Sequence, residues 1–165
     1  MGELVERVDE RDEVLAVVDR DDAMLHGWRH RVAGILCRDT EGRVLVHRRP
    51  DDVPRFPGQF NWLLGGAAKV GESYEDAAAR ELSEELGVRG RPQLVLKYRC
   101  TGPYWLALHE IVVRGPSRPD PSEIAWHDWL TEHELAELVD HEAFIPEARE
   151  AFDRYNFPPR PPKPR

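Results

Sequence analysis

The stretch Gly65–Val88, GGAAKVGESYEDAAARELSEELGV, decides how this chain is read. It opens as a glycine-rich loop able to lie against phosphate, then runs into a helix carrying more carboxylate than solubility requires. Ser73 with Asp76 forms a capping-box pattern and Gly87 supplies a left-handed stop, which predicts a helix over about 73–86. At roughly 100° per residue from Glu81, Tyr74, Ala78, Leu82 and Leu86 fall near 20°, 60°, 100° and 140°. That is the core-facing stripe. On the same wheel Glu85 falls near 40°, Glu84 near −60° and Arg80 near −100°. Glu81, Glu84 and Glu85 therefore share an arc of about 100° that overlaps the apolar stripe, while Glu75, Asp76 and Ser83 take the opposite, solvent side.

Two readings compete for this cluster. As a charged last turn it works against the helix, because carboxylates near a C-terminus oppose the macrodipole and Arg80 offsets only part of that. Two carboxylates 4 Å apart repel by roughly 4 kcal/mol at an effective dielectric of 20. A divalent cation removes those penalties. Mg²⁺ prefers oxygen ligands, keeps several waters and bridges one or two carboxylates to substrate phosphates. The crowding on one face thus points to a metal site.

Around this stretch the chain alternates short strands with loops and a few helices. Glu13–Arg20 reads as a strand, the following DDAMLHG as a short turn or helix, and HRVAGILCR (His30–Arg38) as a second strand. Thr40-Glu41-Gly42 turns into a strand over Arg43–Arg49. The segment PDDVPRFPGQFNW holds three prolines and a Pro57-Gly58 turn and reads as loop. RPQLVLKYRC and YWLALHEIVVRG form a strand pair joined through Thr101-Gly102-Pro103, and AWHDWL is a further strand. Thr131 with Glu134 gives a capping box opening TEHELAELVD, and Pro146 suits the first turn of a last helix ending near Tyr155. The order predicts a mixed sheet with helices packed on it, in a single domain over residues 1–157. Residues 158–165, PPRPPKPR, follow as a flexible, extended tail.

Composition narrows the function classes. The 165 residues are 41% apolar and 33% charged, which suits one globular domain. The net charge is −8, of which the tail contributes +3, leaving −11 ahead of it. A body that acidic argues against a nucleic-acid polymer as partner. Apolar runs such as Trp105–Leu108 are too short to span a bilayer, and the acidic N-terminus lacks a signal-peptide pattern, so a cytoplasmic protein without membrane association is expected. Cys37 and Cys100 have no CxxC spacing and read as reduced thiols in or near the core.

The residues Gly66, Glu72 and Arg80-Glu81-Leu82-Ser83-Glu84-Glu85-Leu86-Gly87-Val88 fill every defined position of G-x5-E-x7-R-E-U-x-E-E-x-G-U, where U is aliphatic. This resembles an unbroken Nudix box. The resemblance implies an α/β fold, the Nudix-type α/β/α sandwich with a central mixed sheet. It also implies Mg²⁺- or Mn²⁺-dependent hydrolysis of a diphosphate linkage in a nucleoside diphosphate or a compound linked to one. On that basis Glu81, Glu84 and Glu85 hold the metal, with a backbone carbonyl of Gly65 or Gly66 as a further ligand. Glu81 and Glu84 take catalytic roles together with Arg80, which orients Glu81, and Glu72 supports the cluster from behind. A small-molecule diphosphate is the implied partner, and a homodimer is an open assembly.

Outside the box, Glu123 in DPSEIAWHDWL matches the family's later glutamate and is the candidate extra base or metal ligand, with Glu110 as a second choice. As a loop carboxylate it has no special role. Arg48 and Arg49 end a strand near the expected site and suit phosphate contact, although strand alternation lets only one face a given side. Phe60, Trp62 and Trp105 either stack a base or fill the core. His26 and His30 lie four apart, a metal spacing, but on a short glycine-broken segment that favours other roles. The stretch from DEVLAVVDR to FPGQFNW also looks like the front half of isopentenyl diphosphate isomerases, relatives that need a cysteine and a histidine where this chain has Gly65 and Ala67. An isomerase and a non-catalytic nucleotide-binding domain are the alternatives; the intact box argues against both.

Overall fold

His30–Arg38 sets the centre of the molecule. Residues 33–37 of this strand are buried without a break, as expected of a strand covered on both faces. The structure is a computed structural model that describes residues 2–155 and 157. In chain order its strands are β1 Leu4–Val8, β2 Val14–Asp19, β3 His30–Arg38, β4 Val44–Arg48, β5 Phe60–Asn61, β6 Leu64–Ala67, β7 Gln93–Arg99, β8 Tyr104–Val112 and β9 Trp126–Leu130. The helices are α1 Arg20–His26, α2 Tyr74–Leu86, α3 Glu132–His141 and α4 Pro146–Tyr155.

β3 runs parallel to β8 from His30↔Tyr104 to Arg38↔Val112 and antiparallel to β6 from Val32↔Ala67 to Ile35↔Leu64. β7 joins β8 antiparallel, β9 and β5 join β4 antiparallel, and β1 pairs with β2. The sheet is therefore mixed. Alternation along β3 sends Ala33, Ile35 and Cys37 to one side, where they pack with Ala77, Ala78, Leu82 and Leu86 of α2. Leu36 faces the other way, into a cluster with Leu135 and Val139 of α3 and Ala148 and Ala151 of α4. One helix on one face and two on the other make the α/β/α sandwich.

α2 runs over the residues its capping signals predict, from the Ser73 N-cap to Gly87 at φ 66°. The box at its start is only half formed. Ser73 accepts from the Asp76 amide, but the Asp76 carboxylate turns to Arg91 at 3.0 Å instead of reaching back. α3 carries the full reciprocal box between Thr131 and Glu134. The expectation that Gly65-Gly66 forms a loop is corrected: both glycines lie in β6, paired with β3. Residues 60–61, read as loop, form the short strand β5. β1 was not foreseen either. A register shift between Arg7 and Val8 places Val5 and Val8, three apart, both in the interior, so the pattern of period two is broken. Residues 158–165, the expected tail, lie outside the described residues.

Candidate active site

The pairing of β6 with β3 explains the two glycines. Gly65 sits at φ 139°, and a Cβ there would fall on the Ala33 carbonyl oxygen, so the two backbones approach closer than any side chain permits. A Cβ on Gly66 would stand 2.6 Å from Oε1 of Glu81. The glycines thus open a groove between strand and helix, and two carboxylates of α2 fill it. Glu85 receives the Gly65 amide on Oε2 at 3.1 Å, and Glu81 lies over Gly66.

Burial pushes both acids above the usual carboxylate range. For Glu81 the Arg80 guanidinium opposes that shift, and the charge of Glu84 adds to it. For Glu85 burial is again the largest cause, followed by the charge of Glu81, and the Gly65 amide offsets only part. Glu85 is raised well above the ordinary value. Two neighbouring buried acids resist double ionisation, and a cation bound between them would relieve that.

Arg80 organises the rest of the cluster. Its Nε and Nη2 grip Glu72 at 2.8 and 2.9 Å, Nη1 donates to Glu81 at 2.9 Å and to Glu84 at 3.3 Å, and Nη2 also donates to the Ala67 carbonyl. The fork holds Glu72 well within its charged form, lowering its pKa. Glu72 therefore meets the cluster through Arg80. Glu84, with its side chain 55% exposed, stands at the mouth.

Arg80, Glu81, Glu84 and Glu85 line a cleft of about 620 Å³. Glu123 lines the same cleft, and the reason is local. The amides of Arg118 and Asp120 donate to the carbonyls of Leu86 and Glu85, satisfying acceptors at the C-terminus of α2. That pins the loop after β8 against the helix and brings Glu123 close enough to raise the Glu85 pKa further. Arg49 lines the cleft and comes within 3.9 Å of Glu123, whereas Arg48 pairs with Asp51 at 3.1 Å and takes no part in the lining. Glu110 is away from this cluster, bonded to Arg38 at 2.6 Å. Trp62 is a core residue, its indole donating to the Ala148 carbonyl, and Phe60 stacks on Phe144. Trp105 donates to the Asp9 carbonyl. His30 is fully buried while His26 stacks on Trp28, so the two do not form a pair. Cys37 and Cys100 are buried free thiols, both pushed up to about 12 by burial.

Sequence reasoning missed Arg55, Lys69 and Tyr104, which also line the cleft. Arg55 donates to the Tyr104 hydroxyl at 3.2 Å, and Arg49 Nε donates to the Arg55 carbonyl at 2.9 Å. Nothing periodic marks Arg55. Its one signal was membership of the proline-rich loop beside the site.

The donor set here is all oxygen, which fits a hard cation such as Mg²⁺ or Mn²⁺. Among the described residues no three His, Cys, Asp or Glu side chains are gathered as a ready-made metal cage. Arg80 holds Glu81 and Glu84 from one side, and the Glu81–Glu85 pair facing Gly65 and Gly66 is the pre-formed part. That still suits Mg²⁺, which uses one or two carboxylates and keeps water.

Known proteins resemble this chain in sequence and in fold. The model of the NUDIX domain family matches residues 28–155. A protein named an uncharacterized Nudix hydrolase in Streptomyces coelicolor is 39% identical over 158 residues, covering 92% of this chain and 87% of its own length. A Nudix hydrolase of Deinococcus radiodurans is 33% identical over 150 residues, covering 86% of each chain. A crystal structure of a Deinococcus radiodurans protein superposes with a TM-score of 0.82 at 29% identity, covering 93% of this chain and 99% of that one. The MutT protein of Methanosarcina mazei, at 21% identity and a TM-score of 0.63 over 78% of this chain and 93% of its own, shares the fold.

Proposed function

The chain belongs to the Nudix family, and from that premise we propose that it is a divalent-metal-dependent hydrolase. Its substrate is a nucleoside diphosphate or a compound linked to one, cleaved at the phosphoric anhydride bond. The observation that carries this reading is the Glu81–Glu85 pair, buried under Gly65 and Gly66 in a cleft that Arg49, Arg55 and Lys69 also line. Carboxylates held next to arginines suit a substrate whose negative charge is shared between a cation and guanidinium groups.

Glu81 and Glu85 would hold the cation, with Glu84 at the mouth and Glu123 on the same cleft as further carboxylates. When bound, the cation supplies Lewis acidity at a phosphoryl oxygen and lowers the pKa of water. The protein contributes positioning. Arg80 fixes the Glu81 carboxylate, and Glu72 fixes Arg80 through two hydrogen bonds, so the rotamer of Glu81 is set before substrate arrives. Arg49 and Arg55 take the charge of the diphosphate, and Glu81, held in place by Arg80, is positioned to accept a proton from attacking water.

No observation favours the isomerase alternative. The position where that chemistry needs a cysteine is Gly65, whose backbone at φ 139° has no room for a Cβ against Ala33. A screen of nucleotide and non-nucleotide diphosphates with Mg²⁺, Mn²⁺ or chelator, reading release of phosphate and nucleoside monophosphate, tests the proposal. Metal-dependent cleavage of at least one nucleoside diphosphate compound is expected, lost by at least about tenfold in kcat in Glu81→Gln. Turnover unaffected by chelator, or kcat preserved in that variant, would sink it.

A further inference from the structure

The NUDIX model matches from residue 28 onward, yet two charged residues ahead of that point line the cleft, Glu3 and Arg20. They flank the hairpin of β1 and β2: Glu3 precedes β1 and Arg20 follows β2. Packing explains how they reach the site. Val5 of β1 and Ala23 of α1 form one apolar cluster with Ala67, the last residue of β6. The Gly71 amide donates to Glu6 at 3.3 Å, and Arg31 of β3 stands 3.6 Å from the same carboxylate. The Arg20 amide donates to the Glu3 carbonyl and keeps the two residues side by side. The hairpin is thus tied beside β6, whose Gly66 faces Glu81.

Two electrostatic effects tie this pair to the site. The charge of Glu3 reaches Glu81 and helps raise its pKa, after burial as the largest cause. The charges of Arg20 and Arg55 both act on buried His30 and help lower its pKa, again after burial. Arg20 is therefore linked to Glu81 through Glu3 and shares the neighbourhood of His30 with Arg55. Its guanidinium donates to Glu3 through Nη1 at 3.4 Å. That is long for a charged pair, against 2.8 and 2.9 Å for the bonds from Arg80 to Glu72. Both side chains are also more than a third exposed, so the pair adds little to stability. A phosphate offers the arginine fork two oxygens at once and is the stronger partner.

We propose that Arg20 is a substrate-binding residue that the N-terminal hairpin adds to the site, and that Glu3 competes with the diphosphate for its guanidinium. The inference rests on the diphosphate reading above. The two residues then act on binding with opposite sign. Arg20 attracts the phosphates, while Glu3 holds them off by engaging Arg20 and by its own negative charge. An ion pair that only fastened the hairpin would behave otherwise, because losing either partner would loosen the same contact.

The test is calorimetric binding of methylenediphosphonate, a diphosphate analogue that resists hydrolysis, with saturating Mg²⁺. Arg20→Ala is expected to raise Kd by at least about fivefold, the loss of one charged hydrogen bond to phosphate. Arg20→Lys keeps the charge without the fork and should recover part of that loss. Glu3→Gln should lower Kd by about twofold or more, since a competitor and a like charge are both removed. All three variants should melt within about 3 °C of wild type, as expected for an exposed pair. Should Arg20→Ala fold poorly, the opposite signs of Arg20→Lys and Glu3→Gln decide the matter. Unchanged binding in the Arg20 variants, or weaker binding in Glu3→Gln, overturns the inference and leaves the diphosphate reading standing. A wild type that does not bind methylenediphosphonate overturns the inference and counts against that reading too. Binding that depends on Arg20, without hydrolysis of any diphosphate, supports the inference and counts against the proposed reaction.

Discussion

Gly66 and Glu81 occupy one space: a Cβ on Gly66 would stand 2.6 Å from Oε1 of Glu81 and 2.9 Å from its Cδ. The backbone at Gly66 lies outside the left-handed region, so alanine fits the strand, and the atom that must yield is the tip of a flexible side chain. Gly66→Ala should therefore fold normally and push Glu81 off its Arg80 contact. We expect melting within about 3 °C of wild type and kcat lowered at least about tenfold, because a displacement near 1 Å at a reacting group costs that much or more. A variant with normal kcat would mean that Glu81 does not need its observed position.

Arg48 and Arg49 are adjacent but face different surroundings, one beside Asp51 and the other lining the cleft near Glu123. An arginine bonded to phosphate is worth about 1.5–3 kcal/mol, or roughly ten- to hundredfold. An exposed ion pair is worth about 0–1 kcal/mol. Arg49→Ala should raise KM by at least about tenfold on the substrate found by screening, and Arg48→Ala by less than about threefold. Steady-state kinetics of both variants settle the contrast, and equal effects would remove Arg49 from the phosphate site.

His30 gives the protein an acid limit that is separate from its chemistry. Burial pushes its imidazole down from 6.5 to about 4, and a backbone contact at Trp28 offsets only part of that. The unfolded chain takes up a proton as pH falls below 6.5, while the folded protein resists until about 4, so stability is lost across that interval. His47, also held near 4 by burial, adds to the same slope. His30→Phe should reduce the stability lost between pH 7 and pH 5 by about 2 kcal/mol, as read from urea unfolding at the two pH values. An unchanged acid slope would show that His30 titrates normally in the folded state.

The helix and its carboxylates were legible in the sequence because α2 obeys local rules: a cap, a stop, and a stripe of period 3.6 from Ala78 to Leu86. Glu85 on the inner edge of that stripe announced a buried charge. The strand β6 was not legible, since glycines at 65 and 66 carry no strand propensity, and only the close approach of β3 explains them. The same holds for the rest of the cleft. Arg55, Tyr104 and Glu147 come from a loop, a strand and a helix far apart in sequence, and only the tertiary fold brings them together. Glu123 was legible as a motif, but its place beside Glu85 depends on the amides of Arg118 and Asp120 docking on the end of α2.

The central claim is that the Glu81–Glu85 pair is built for a cation, and thermal melting with and without metal tests it without knowledge of the substrate. Metal binds the folded protein preferentially, and saturation at about 100 times Kd adds about 2.7 kcal/mol, or roughly 5–10 °C in a chain of this size. Glu85→Gln keeps an acceptor for the Gly65 amide and removes a charge held beside Glu81. The account predicts that saturating Mg²⁺ or Mn²⁺ raises the Tm of wild type, that the variant melts above wild type in chelator, and that metal then adds little to it. A wild type whose Tm does not respond to metal, with a variant that melts like it in chelator, would contradict the account.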